Sequence, residues 1–436
     1  MTELKVGLLG LGTIGIGVAR ILIEKKELIS RRLGKQVRLV AAADRDLDRD
    51  LGLDFSAIRL SNDANDIVTA ADIDLVVELI GGYEPARSLV VTALEHGKHV
   101  VTANKALIAR HGEELFPLAA KKGLQVGFEA AVGGGIPCLK ALREGLAANS
   151  IESVCGILNG TCNFILSKME NEGSDYTDVL HEAQSLGYAE ADPTFDVEGI
   201  DTAHKLSILA AMAFGSKIKF DEVYTEGISN ITAADIESAH EMGYRIKLLG
   251  IAKPHGGQVE MRVHPTLVSL DSQMAQVSDS YNAVQISGDF VEHTMYFGRG
   301  AGERPTASAV VADIMDITSG FPDGIAHLAP PMGFVESSRT DMPTMPMADA
   351  DCEYYIRLMV KDQPGVIASV TSILADHRIS LEALTQKERH ASQNVPIIML
   401  THATTEGNMQ AAISRITGLT AIEDDVLILR KESAVV

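Results

Sequence analysis

Gly10-Leu11-Gly12-Thr13-Ile14-Gly15 has the spacing GxGxxG, directly after the apolar run Leu4–Leu9 and at the opening of a helical pattern, Ile14–Lys26. Glycine at the first position permits a tight turn. At the second it lets backbone approach a pyrophosphate, and at the third it lets helix pack closely on strand. The amides of Thr13 and Ile14 open that helix, whose positive end suits phosphate. A second strand ends at Asp44-Arg45. An acid there binds the adenosine ribose hydroxyls and an arginine accepts a 2′-phosphate, so NAD and NADP both stay open. The stretch from Gly15 to Asp44 exceeds the usual ~20 residues; a long first helix and the basic loop Arg31–Lys35 absorb the excess. Thr102-Ala103-Asn104-Lys105 follows a fourth strand. Ligands bind at the carboxyl ends of such strands, which places Lys105 towards nicotinamide or substrate; the plain alternative is a solvated surface lysine.

A second constellation is acidic. Glu190, Asp192, Asp196, Glu198 and Asp201 gather with no basic residue until His204 and Lys205. Asp201 and Lys205 are spaced i,i+4 and so share a helix face, acid before base. As a surface ion pair this would contribute only about 0.3–0.5 kcal/mol. Leu206, Ile208 and Leu209 follow at once, however, so the helix reads as buried. A lysine held near carboxylates at a core is a candidate for binding or proton transfer.

Cysteines stand at 138, 155, 162 and 352, with no CxxC or zinc-type spacing. So few in a long chain fit a reducing compartment. An activated nucleophile at Cys138 or Cys162 would point to an acylating aldehyde dehydrogenase. Nothing in the neighbouring residues marks either as activated, and both read as buried thiols.

The elements that must carry these residues can be read along the chain. Through residue 130, strands Leu4–Leu9, Arg38–Ala43, Leu75–Ile80, His99–Thr102 and Leu124–Glu129 alternate with helices Ile14–Lys26, Glu84–His96 and Gly112–Lys122. This alternation predicts βαβ units and a Rossmann-type, doubly wound parallel sheet over residues 1–130. Residues 131–318 read as an α+β domain with an antiparallel sheet. Its strands fall at Ile151–Leu158 and within 258–297, its helices at Tyr176–Leu186 and Val197–Phe214. A helix over 305–318, opening on Pro305, is expected to return to the first domain. Pro322, Pro330, Pro331, Pro343 and Pro346 make 319–350 a linker. Residues 351–436 spell βαββαβ, a ferredoxin-like unit.

The chain has 436 residues, enough for about three domains, with 59 acidic and 38 basic residues and a net charge of −21. That balance disfavours nucleic acid or an anionic membrane as partner, since both need a basic face. No apolar run reaches the length of a membrane span. The segment after Lys5 is too glycine-rich for a secretory signal. Together with the free thiols this makes cytoplasmic residence the expectation.

Over nearly its whole length the chain resembles the homoserine dehydrogenases. The resemblance rests on GLGTIG, TANKALIA, EAAVGGGIP, GILNGTCNFIL, GYAEADPTFDVEGIDTAHKL and GRGAGERPTASAVVADI. It implies NAD(P)-dependent interconversion of L-homoserine and L-aspartate 4-semialdehyde in threonine, methionine and isoleucine biosynthesis. It implies that Lys205 and Lys105 serve hydride transfer, and that Glu190 and Asp201 hold substrate with Asp196 alongside. Lys205 is expected as general acid/base and Lys105 as its partner. The resemblance further implies a monovalent cation, commonly sodium, bound by Glu129 and by the carbonyls of Val132, Gly134 and Ile136. Gly302 would touch the nicotinamide side of the cofactor.

Residues 353–431 resemble an ACT domain, carried by the turn Val360-Lys361-Asp362-Gln363-Pro364-Gly365-Val366. Backbone amides opening the following helix can hold an amino-acid carboxylate. The resemblance implies an effector at Asp362, Gly365 and Val366, expected to be L-threonine. It also implies that residues 131–318 are the catalytic and dimerisation domain of a homodimer or homotetramer. A different nicotinamide enzyme, or a sensor that has lost catalysis, are the rival readings; a sensor would be expected to lack Lys105, Lys205 or Glu190, and all three are present.

Overall fold

The computed structural model describes residues 3–321, 329–386, 394–423 and 426–433. The chain divides into two units: Met1–Val154 with His204–Val223 and Tyr281–Met342, and Cys155–Ala203 with Tyr224–Ser280 and Pro343–Val436.

The first unit is built on a six-stranded parallel sheet. Its strands are β1 (Glu3–Leu9), β2 (Gln36–Ala43), β3 (Arg59–Ser61), β4 (Leu75–Glu78), β5 (His99–Thr102) and β6 (Val126–Gly127), in the order β3-β2-β1-β4-β5-β6. The order reverses beside β1, which is the switch point where such sheets bind ligands. Both faces are covered, so Leu4, Val6, Leu8, Val76, Val77, Val100 and Val101 are fully buried in near-continuous apolar runs. The helix Thr13–Glu24 lies over the sheet, and the late helix Glu303–Gly320 packs against it. Ala307, Val310, Val311, Ile314 and Ile317 from that late helix enter the same core as Leu4, Leu8 and Val18. Each such Val or Ile contributes about 1.5–3 kcal/mol on burial, which is enough to hold a helix that is distant in sequence.

That late helix starts at Glu303, two residues before the position the proline suggested. Pro305 is tolerated because the first four helical N–H groups lack intrahelical partners anyway. A larger difference lies at Lys105–Lys121, a helix beginning seven residues earlier than its apolar periodicity indicated. Asn104 caps it, its side chain accepting the Leu107 N–H at 3.1 Å. The expected strand over 124–129 shortens to two residues, because the chain turns into a 3-10 helix at Glu129–Ala131.

In the second unit, strands run in the order Tyr244–His255, Gln258–Ser269, Leu427–Lys431, Asp351–Lys361, Asn394–Thr401, Leu381–Gln386. The first two form an antiparallel hairpin. The last four belong to a βαββαβ module whose helices are Val366–Asp376 and Glu406–Thr417. Its core holds Ile356, Leu358, Val370, Leu374, Ile397, Met409 and Ile416. The module is joined to the hairpin edge to edge: Thr266 and Leu267 pair in parallel with Arg430 and Lys431. The strand Tyr244–His255 escapes the sequence reading because Arg245, Lys247 and Lys253 interrupt its apolar pattern.

The proline-dense stretch is not free where it is described. Thr340 bridges to Ser216 and Thr344 to Val259. Pro322 lies outside the described residues.

Candidate active site

In the first unit the glycine loop has the backbone its residues require. Gly10 sits at φ +91°, a left-handed conformation that side chains disfavour. A Cβ on Gly15 would meet the Gly10 carbonyl oxygen at 2.0 Å, whereas one on Gly12 would meet nothing within 4 Å. The first contact is the close helix–strand packing; the second leaves open space where a phosphate can approach. Gly12 begins the helix Thr13–Glu24 without a side-chain cap, so Thr13 and Ile14 open it with their amides turned outward. These features fit the pyrophosphate of a dinucleotide.

Asp44 directly follows β2 and is half-buried, and Arg45 after it is exposed. Asp44 is already engaged: its Oδ2 accepts the Leu11 N–H at 2.6 Å and its Oδ1 the Asp46 N–H at 3.0 Å. Arg49 donates to the Leu11 carbonyl at 2.7 Å. The acid therefore clamps the glycine loop, whatever else it binds.

Lys105 is the first residue of its helix, and the loop ahead of it is fixed by a residue that the sequence reading passed over. Glu78 is fully buried at the end of β4. Its Oε1 accepts the N–H groups of Ile80 and Gly81, and its Oε2 accepts the Thr102 hydroxyl at 2.7 Å. Thr102 Oγ1 in turn accepts the Asn104 N–H, and Asn104 Nδ2 donates to the Gly82 carbonyl. The Thr102 hydroxyl is thus spent on structure. An acid closing an apolar strand, three residues before a Gly-Gly pair, was the available signal.

Lys205 is only 8% exposed, on the helix Ile200–Phe214, whose residues 201–210 are all buried. The helices carrying the two lysines are linked indirectly, through Tyr83 and Phe220. The Tyr83 hydroxyl lies 3.4 Å from His204 Nε2. The His204 ring stacks on Phe220 at 3.8 Å, and the Arg110 guanidinium lies over the same Phe220 ring at 4.8 Å. Tyr83 meets His111 edge to face.

The crossing after β6 is also closed in. Burial, reinforced by nearby Asp313, pushes the Glu129 carboxyl up to about 8. Its two oxygens accept the N–H groups of Leu139 and Lys140 at 2.9 and 2.7 Å. Gly134 is left-handed at φ +54°, and a Cβ there would strike the Gly300 carbonyl oxygen at 2.3 Å. Val132 and Ile136 flank it, both buried. A buried carboxylate beside carbonyl-rich glycine backbone suits a hard cation. Among the described residues no three His, Cys, Asp or Glu side chains group as a metal site. Gly302, at φ +112°, starts the helix Glu303–Gly320.

Cys138 is buried, and burial pushes its thiol well above the ordinary range. A thiol held protonated is a poor nucleophile, which weighs against acyl-enzyme chemistry there.

In the second unit Asp196 and Asp201 come together. Asp201 is 3% exposed and Asp196 half-buried. Asn159 Nδ2 donates to Asp196 Oδ1 at 2.7 Å and to Asp201 Oδ2 at 2.8 Å. Cys162 Sγ donates to the Asp196 carbonyl at 3.2 Å. Glu190 lies in an exposed loop, its carbonyl accepting from Gln184 at 3.0 Å. Asp362 and Gly365 are exposed before the helix Val366–Asp376, and Gly365 is left-handed at φ +93°.

Comparison with known proteins covers every part of this arrangement. Residues 137–315 match the family model for homoserine dehydrogenase, residues 10–129 its NAD-binding domain, and residues 354–420 the ACT domain. Homoserine dehydrogenase of Neisseria gonorrhoeae is 47% identical over 433 residues, 99% of either chain. The crystal structure of a homoserine dehydrogenase from Thiobacillus denitrificans superposes with a TM-score of 0.95 at 51% identity, covering 100% of this chain and 99% of that one. A hyperthermophilic archaeal homoserine dehydrogenase, solved in complex with NADPH, gives a TM-score of 0.63 at 28% identity over 74% of this chain and 99% of its own.

Proposed function

The chain belongs to the homoserine dehydrogenase family, oxidoreductases acting on a CH–OH group, and on that premise we propose that it interconverts L-homoserine and L-aspartate 4-semialdehyde with NAD(P), under feedback by L-threonine. The observation that carries the reading is the link, through Tyr83 and Phe220, between the helix that opens at Lys105 beside the glycine loop's sheet and the buried helix that bears Lys205.

A bound dinucleotide would supply the hydride to the aldehyde carbon or accept it back from the alcohol carbon. Gly10, Gly12, Thr13, Ile14 and Gly15 would hold its pyrophosphate, Asp44 and Arg45 its ribose end, and Thr102 and Gly302 would border the nicotinamide. Lys205 donates a proton to the aldehyde oxygen as charge develops there, and Lys105 stabilises the same oxygen. In the oxidative direction Lys205 takes the hydroxyl proton, and the hydride leaves from the same carbon. Glu190 receives the substrate ammonium; Asp196 and Asp201 orient the rest. Burial of Lys205 supports this assignment, because an ammonium shielded from water acts more strongly on a developing oxyanion.

A sodium ion held by Glu129 and the carbonyls of Val132, Gly134 and Ile136 would neutralise a carboxyl that burial otherwise disfavours as an anion. The turn at Asp362, Gly365 and Val366 offers helix-opening amides to an amino-acid carboxylate, which is the support for threonine as effector. Assembly is a homodimer or homotetramer. Residence is cytoplasmic; among the described residues no helix is long and apolar enough to cross a membrane.

Homoserine-dependent reduction of NADP and of NAD, followed at 340 nm with and without threonine, tests the whole reading. Turnover of the semialdehyde only in the presence of an acyl acceptor would reject it. Turnover indifferent to threonine would reject the effector alone.

A further inference from the structure

Asn159 makes more contacts than its position requires. It precedes the helix Gly160–Glu172, and its Oδ1 accepts the Cys162 N–H at 2.8 Å, an ordinary N-cap. A serine, threonine or aspartate would cap as well. The other end of the amide has a separate task. Its Nδ2 divides two hydrogens between the carboxylates of Asp196 and Asp201. The amide orientation is dictated by chemistry: reversed, it would set a carbonyl oxygen against two carboxylates and an NH2 group against an N–H.

The two acids come from different elements, the short helix Thr194–Val197 and the helix Ile200–Phe214, with a left-handed Gly199 at φ +80° between them. Carboxylates drawn together repel, and burial raises the cost of their charge. A neutral side chain with two donors offsets that repulsion without cancelling the negative field that a cationic or hydroxylic substrate needs. Asn159 is itself only 4% exposed, so solvent does not compete for these bonds.

We propose that Asn159 is a positioning residue for homoserine dehydrogenation: its amide holds the Asp196 and Asp201 carboxylates as one preorganised receptor for the amino-acid substrate. This rests on the reading that Asp196 and Asp201 hold substrate. Asn159 touches neither cofactor nor reacting carbon in this scheme, and acts through the two acids.

The experiment uses the full chain with Asn159→Ser and Asn159→Asp, both of which keep a helix cap, beside Asp196→Asn and Asp201→Asn. Loss of charge-assisted bonds predicts a rise in the homoserine KM of about 10- to 100-fold in Asn159→Ser, with kcat changed far less and the cofactor KM unchanged. Asn159→Asp adds a third carboxylate to the pair, so the acid limb of kcat/KM moves up by about one pH unit or more. The isosteric aspartate carries the test by its pH profile should the serine variant fail to fold. A wild-type homoserine KM and an unmoved acid limb, with both aspartate variants impaired, would reduce Asn159 to a helix cap and overturn the inference. Aspartate variants with wild-type KM would instead sink the substrate reading, and the inference with it.

Discussion

The Asp44 carboxylate accepts the backbone N–H of Leu11 at 2.6 Å, tying the end of the second strand to the middle residue of the glycine turn. Arg49 closes the same loop from the other side, donating to the Leu11 carbonyl. Asp44→Ala is therefore expected to loosen the phosphate loop itself. Affinity for NAD and for NADP should fall together, by about tenfold or more for the lost charge-assisted bond. Titration of each cofactor by nicotinamide fluorescence checks this. A loss confined to NAD would mean that Asp44 acts only on the ribose.

Lys205 sits on a helix whose neighbouring positions are buried throughout, so no solvent-borne acid can easily replace it. Lys205→Ala should lower kcat by about 10²- to 10⁴-fold, the usual range for a positioned acid–base group. Cofactor affinity should hold, because Lys205 is remote in sequence from the glycine loop's fold. Near-normal kcat would remove it from the mechanism.

Lys247 gives a pH signature unrelated to catalysis. It is 1% exposed, donating to Asn163 Oδ1 at 3.0 Å and to the Val277 carbonyl at 2.6 Å. Burial pulls its ammonium from an ordinary 10.5 down to about 7. Between those values the unfolded chain binds more protons than the folded one, so this residue's contribution to stability rises with pH. The slope is at most about 1.4 kcal/mol per unit. Below pH 7 both states are protonated and the cost of the buried charge is fully present. Urea unfolding at pH 7.5 and 9.5 should show the wild type gaining on Lys247→Met as pH rises; parallel curves would refute it.

Arg430 is the keystone of the seam between the βαββαβ module and its neighbouring hairpin. It is 1% exposed and donates to both oxygens of Glu406 and both of Glu226. Burial alone would raise the Glu406 carboxyl, but the Arg430 guanidinium holds it below the usual carboxylate range. Arg430→Met strands the buried Glu406 without its cation, and a loss of about 3–5 kcal/mol is expected from breaking such a buried pair. Chemical denaturation measures it; a loss below about 1 kcal/mol, typical of exposed pairs, would show that solvent reaches the seam.

What the sequence determined by itself is what local rules govern. GxGxxG after an apolar strand has few backbone solutions, so the turn at Gly10 and the packing at Gly15 follow from residue type alone. The βαββαβ order of the last module follows from periodicity, since its two helices and the strand Asp351–Lys361 bury regular apolar faces. The tertiary structure decided whatever depends on partners distant in the chain. The start of the helix at Lys105 is set by a cap and a loop anchored on Glu78, 27 positions earlier, rather than by apolar spacing. The strand Tyr244–His255 accommodates Lys247 because Asn163 and Val277 supply its acceptors. Asp196 and Asp201 become a pair only when Asn159 reaches them from another element. Hydrogen bonds satisfy buried polar groups wherever the chain brings donor and acceptor together, and sequence spacing carries no record of that meeting.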